Sequence, residues 1–127
     1  MATWEDVRRL ALELPGTSER TSRGLAQWVV SRKLFVWERP LRRSDYEALG
    51  DAAPDGPILG ARVEHEGAKQ ALIADDPGVF FTTPHFDGYP AILVRLDEIG
   101  PDGLREVVVE AWLNRASPTL IRQYEDR

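Results

Sequence analysis

The sequence predicts an α+β fold in which one antiparallel sheet is packed by helices. Runs rich in Val, Ile, Phe and Trp recur between Gln27 and Leu96, several joined by short turn-bearing segments, and strands joined that way pair antiparallel. Segments with apolar residues at helical spacing stand near both ends of the chain. The 127 residues fit a single domain, residues 1–127, large enough to bury roughly two-thirds of its unfolded surface around one core.

Thr3 followed by Asp6 reads as a capping box with Asp in place of Glu. Trp4, Val7, Leu10, Ala11 and Leu14 recur behind it, which predicts a helix from about Trp4 to Leu14, ended by Pro15-Gly16. Gln27 to Ser31 and Leu34 to Arg39 predict a hairpin with a basic tip at Arg32-Lys33. A two-residue turn needs positive φ at both central positions, which Arg and Lys resist, so a slightly longer loop is expected there. Leu41 to Pro57 reads as an irregular connection, Ile58 to Glu64 as a third strand, and Glu66 to Ala74 as a short helix burying Ala68, Ala71 and Leu72. Val79 to Thr82 and Ala91 to Leu96 form a strand pair around a loop crowded with Pro, His and Asp-Gly. From Gly103 to Arg115, Leu104, Val107, Val108, Ala111 and Trp112 make one apolar helical face; Pro118 then ends or kinks the chain, and Thr119 to Tyr124 forms a last short helix.

Composition narrows the function classes. With no basic-then-apolar leader and no apolar run near the ~20 residues that span a bilayer, the chain is expected to be cytoplasmic and without a membrane partner. The absence of Cys excludes a disulfide framework, a thiolate nucleophile and a thiolate zinc site. A net charge of −5 argues against a strong nucleic-acid binder, but the charge is polarised. Residues 18–43 carry seven cations, Arg20, Arg23, Arg32, Lys33, Arg39, Arg42 and Arg43, against Glu19 and Glu38.

No catalytic constellation, metal site or cofactor motif emerges. His85 and Asp87 form an H-x-D pair that could ligate a metal or act as a base, but with His65 the only other histidine they cannot complete a four-coordinate site. A turn in which Asp87-Gly88 reverses the chain and His85 hydrogen-bonds locally accounts for them better. Ser22, Ser31, Ser44 and Ser117 lack a nucleophile elbow, and Gly56 and Gly60 lack the Lys-Ser/Thr ending of a phosphate loop. The basic segment is stronger: Arg forks match phosphate oxygens, and Trp28 and Trp37, which more often pack in a core, would stack on bases if exposed.

Four stretches, Leu14-Pro15-Gly16-Thr17, Lys33-Leu34-Phe35-Val36-Trp37, the string from Asp76-Pro77-Gly78 through Thr83-Pro84-His85-Phe86-Asp87-Gly88-Tyr89-Pro90-Ala91, and Ala111-Trp112, resemble the MmcQ/YjbR family of small bacterial proteins. The resemblance implies an α-β(3)-α-β(2)-α fold like that of secretion chaperones, also described as CyaY-like. It also implies DNA binding, through a likeness to a double-wing DNA-binding domain. Where members tend to have Arg-Gly-Lys at the hairpin tip, this chain has Ser31-Arg32-Lys33.

Three functional expectations stand. The first is a non-enzymatic protein that binds the DNA backbone through Arg32, Lys33, Arg39, Arg42 and Arg43, with Arg20 and Arg23 at the margin and without base readout. The second is a chaperone-like module that holds a protein partner on the sheet or on the Pro84 to Pro90 loop. The third is a small-ligand site centred on His85, Asp87 and Tyr89.

Overall fold

The computed structural model describes residues 2–126. Helix α1 spans Trp4–Leu12, and its N-terminus carries the capping box: Thr3 Oγ1 accepts from the Asp6 N–H at 3.2 Å while Asp6 Oδ2 accepts from the Thr3 N–H at 2.9 Å. Strands β1 (Thr17–Ser22), β2 (Leu25–Val30) and β3 (Lys33–Glu38) form a meander, followed by α2 (Arg43–Leu49) and a 3-10 turn at Gly50–Ala52. Strand β4 (Ile58–Arg62), α3 (Glu66–Asp75), β5 (Phe80–Phe81), a 3-10 turn at Pro84–Phe86, β6 (Ala91–Arg95), α4 (Pro101–Arg115) and α5 (Pro118–Glu125) complete the order. The six strands make one antiparallel sheet in the order β1-β2-β3-β4-β6-β5, so the α+β class read from the sequence holds.

Two elements go beyond the sequence reading. Strand β1, Thr-Ser-Glu-Arg-Thr-Ser, is an exposed edge strand with no apolar alternation to announce it. Helix α2 occupies part of the expected irregular connection; its single buried residue is Asp45, so it lacks an apolar stripe.

The hairpin turn also differs from expectation. Val30 pairs directly with Lys33, leaving a two-residue turn of Ser31 and Arg32 at φ 51° and 65°. The right-handed twist of the flanking strands favours this primed geometry, and here it overrides the preference of non-Gly residues for negative φ. In α3, Ala68 and Leu72 pack against the core as expected, but Ala71 is exposed and Lys69 is buried in its stead.

The sheet has two apolar faces. Trp28, Phe35, Leu59, Ile92 and Val94 pack with α1 and α4 around Val7, Leu104, Val108 and Trp112. The opposite face carries a smaller cluster of Trp37, Ile58, Phe81, Phe86 and Leu93, with Leu41 and Leu49 against it. Gly60 belongs to this second face: a β-carbon there would stand 2.3 Å from Trp37 Cε2, so the strand needs Gly to seat the indole.

Candidate functional site

The meander separates the cations that the sequence places close together. The β1–β2 turn, Arg23-Gly24, and the β2–β3 turn, Ser31-Arg32, lie at opposite ends of β2, about 20 Å apart for a strand of this length. Arg32 and Lys33 are exposed at one end; Arg23 and Arg42 are exposed at the other. Arg20 lies along β1 and donates from Nε to Gln27 Oε1 at 2.8 Å. Arg43 pairs in solvent with Glu47 at 3.4 Å.

Arg39 must be withdrawn from the phosphate-contacting set. Its side chain is buried, its Nη2 donates to Asp45 Oδ2 at 2.9 Å, its Nη1 donates to the Pro40 carbonyl, and its guanidinium lies 5.2 Å from the Phe86 ring centroid. The cause is α2, which delivers Asp45 to the end of β3. Burial pushes the Asp45 carboxyl up, but the Arg42 N–H, at 2.8 Å, and the Arg39 guanidinium outweigh it and hold the pKa below the ordinary value. Trp28 is likewise committed to the core, where it stacks on Trp4 and donates from Nε1 to Glu19.

Two regions that lie far apart in the sequence meet on the second face of the sheet. A groove of ≈ 580 Å³ is lined by Arg23, Gln27 and Leu34 on the meander side, by the Glu38 to Arg42 segment, and by His85, Phe86 and Tyr89. Trp37 lies under its floor, buried like Trp28 and packed in the second-face cluster, so it too is withdrawn from base stacking. Arg23, Arg42 and exposed His85 therefore share one concavity with three aromatic side chains. Asp87 is exposed beside the left-handed Gly88, as a local turn requires. Among the described residues, no group of three or more His, Cys, Asp or Glu is placed to hold a metal ion.

The His85–Tyr89 wall is fixed by two cations that sequence reasoning missed. Lys69 is 1% exposed; its Nζ donates to the Phe86 carbonyl at 2.8 Å and pairs with Glu66 at 3.1 Å. Arg62, the last residue of β4, donates from Nε to the Pro90 carbonyl at 3.1 Å and from Nη1 to the Tyr89 hydroxyl at 3.0 Å. The Glu66–Lys69 spacing, i to i+3 on a helix, was the one available signal, and it reads equally as a solvated surface pair.

A second cleft, ≈ 310 Å³, lies on the helix-covered face between α3 and α4 and is rimmed by Asp75, Asp76, Glu98, Glu106 and Glu110.

A family model described as YjbR matches residues 12–114. An uncharacterized protein of Mycobacterium bovis is 55% identical over 127 residues, covering 98% of this chain and 96% of its own length. An uncharacterized protein of Mycobacterium tuberculosis matches with the same figures. The crystal structure of a Deinococcus radiodurans protein with a DUF419 domain superposes with a TM-score of 0.66 at 19% identity, covering 89% of this chain and 78% of that one, a likeness of fold. No helix among the described residues is long and apolar enough to cross a membrane.

Proposed function

The chain belongs to the YjbR family, and on that premise we propose that it is a non-enzymatic DNA-binding protein holding a single strand in the groove on the second face of its sheet. The observation that carries this reading is the shared concavity of Arg23, Arg42 and His85 with the exposed Tyr89 ring, backed by the buried Trp37 and Phe86 of the second-face cluster. Single-strand sites combine a cationic track for the backbone with aromatic faces on which bases stack, a combination with little sequence preference. Arg32 and Lys33 extend the cationic surface beyond the Leu34 end of the groove. The acidic cleft on the far face repels phosphate and so orients the molecule toward it.

The test is fluorescence anisotropy with a labelled oligothymidylate of about twelve nucleotides at ~50 mM salt. Binding that weakens steeply with salt is the expected result; no detectable binding contradicts the reading.

The groove's volume favours a second reading, because ≈ 580 Å³ falls within the roughly 300–1,000 Å³ of small-molecule sites. On that reading the occupant is one anionic, ring-bearing molecule centred on His85 and Tyr89. A thymidine mononucleotide that binds as tightly as the oligomer favours it over the first. A protein-partner reading would draw on the open edge of β1, and its mark is a stoichiometric partner retained after nuclease treatment.

A further inference from the structure

The helices on the covered face of the sheet leave a gap. Helix α4 packs over β3 and β4 and α3 over β5, while the strand order sets β6 between β4 and β5, so the surface above β6 lies between the two helices. There the ≈ 310 Å³ cleft has an apolar floor, to which Ile92, its cross-strand partner Ala61, and Phe80 of the edge strand contribute. Gly103, Glu106, Val107 and Glu110 fall on one stripe of α4, at i, i+3, i+4 and i+7, and make one wall. Leu72 and Asp75 of α3, with Asp76 at its C-terminal cap, make the other.

The rim charge is left uncompensated by the fold. Asp75, Asp76, Glu98, Glu106 and Glu110 are all exposed, and none of them pairs with a cation among the described residues. Arg62, the one cation of the lining, turns its guanidinium to the Tyr89 ring and hydroxyl and to the Pro90 carbonyl. Asp75 and Asp76 also stand at the C-terminal end of α3, whose last turn carries no basic residue, so they add to the negative pole of the helix instead of offsetting it. That placement opposes the helix and favours a cation brought from outside. A bare metal ion is a poor match, because no three of these carboxylates are placed to hold one and hard cations gather six or more oxygens.

We propose that the cleft between α3 and α4 binds a small organic cation, an amine on a short apolar body that lies over Ile92 and Phe80 while its ammonium donates to the carboxylate rim. An ammonium has three donors and no acceptor, which suits a rim of scattered carboxylate oxygens, and charge-assisted bonds of this kind are the stronger ones. The cleft's volume stands at the lower end of the roughly 300–1,000 Å³ of small-molecule sites. This site lies on the opposite face of the sheet from the groove and does not depend on the nucleic-acid reading.

The test is titration of the methyl-labelled protein, followed by NMR at Ile92 and Val107, with hexylamine, hexanol and hexanoate as probes of matched length and different charge. Expected is a saturable shift of those methyls with hexylamine, a several-fold weaker response to hexanol and none to hexanoate. Glu106→Gln/Glu110→Gln changes two exposed positions of α4, keeps the helix, and is expected to weaken hexylamine binding about fivefold. The same double variant leaves oligothymidylate binding unchanged, which separates this site from the groove. Hexanol binding as tightly as hexylamine, or an unchanged hexylamine affinity in the double variant, overturns the proposal by removing the role of the rim. Unmoved Ile92 and Val107 methyls with all three probes overturn it outright.

Discussion

Arg39 and Asp45 meet at 2.9 Å with their side chains only 6% and 2% exposed, tying the end of β3 to the first turn of α2. The same carboxylate accepts the Arg42 N–H, so a single buried anion sets the course of the Pro40 to Arg42 segment, which forms one wall of the groove. Arg39 is therefore part of the frame, and Arg42 is what the frame presents.

Removing one partner leaves the other charge buried and unpaired. Asp45→Asn is expected to cost about 3 kcal/mol in urea unfolding, whereas replacing both residues by apolar side chains of similar size costs much less. The depressed Asp45 pKa adds a pH signature. Its contribution is complete above the unfolded carboxylate range and is lost as pH falls through the lower folded value. The acid-induced drop in thermal midpoint is therefore smaller in Asp45→Asn than in the parent.

Lys69 holds the opposite wall through the Phe86 carbonyl. Lys69→Met keeps the stem and removes the charged donor, leaving the Phe86 carbonyl with the Tyr89 N–H, at 3.0 Å, as its partner; the lost charge-assisted bond is expected to cost about 1–3 kcal/mol. The loop opens locally as well, so amide exchange at Phe86 to Tyr89 accelerates more than in the central strands.

Gly60 is where the floor of the groove is set. In Gly60→Ala the added methyl meets the Trp37 indole, and the overpacking is expected to cost about 1–3 kcal/mol and to shift the tryptophan emission.

The two turns of the meander allow a paired test of backbone strain. Arg32 has φ 65°, and Arg32→Gly relieves that strain for a gain of about 0.5–1 kcal/mol, partly offset by the freedom of Gly in the unfolded chain. Gly24 has φ 79°, and a β-carbon added there would meet nothing within 4 Å, so Gly24→Ala costs about 1 kcal/mol through backbone conformation alone. Equal effects of the two changes in thermal unfolding would contradict this account.

Periodicity explains which elements were legible in the sequence. Helix α4 repeats apolar residues at helical spacing, and the central strands β4 and β6 are short apolar runs buried on both faces of the sheet, so their existence and type could be read. Strand β1 and helix α2 bury almost nothing, and their order comes from pairing with β2 and from the Arg39–Asp45 contact, neither of which leaves a local pattern. The site was half legible. Charge counting found Arg23 and Arg42, and the His85 to Tyr89 loop stood out by composition, but only the fold brings them into one groove. Lys69 and Arg62 escaped because their partners are backbone carbonyls 17 and 28 residues away.

The salt dependence of oligothymidylate binding, measured for the parent chain and for Arg23→Gln/Arg42→Gln, tests the central claim most directly. Each phosphate contact contributes about 0.7 to the slope of log affinity against log salt for a single strand, so the double variant should lose about 1.4. Parent and variant binding with the same slope, or no binding by the parent at ~50 mM salt, would contradict the claim that this groove holds a nucleic-acid strand.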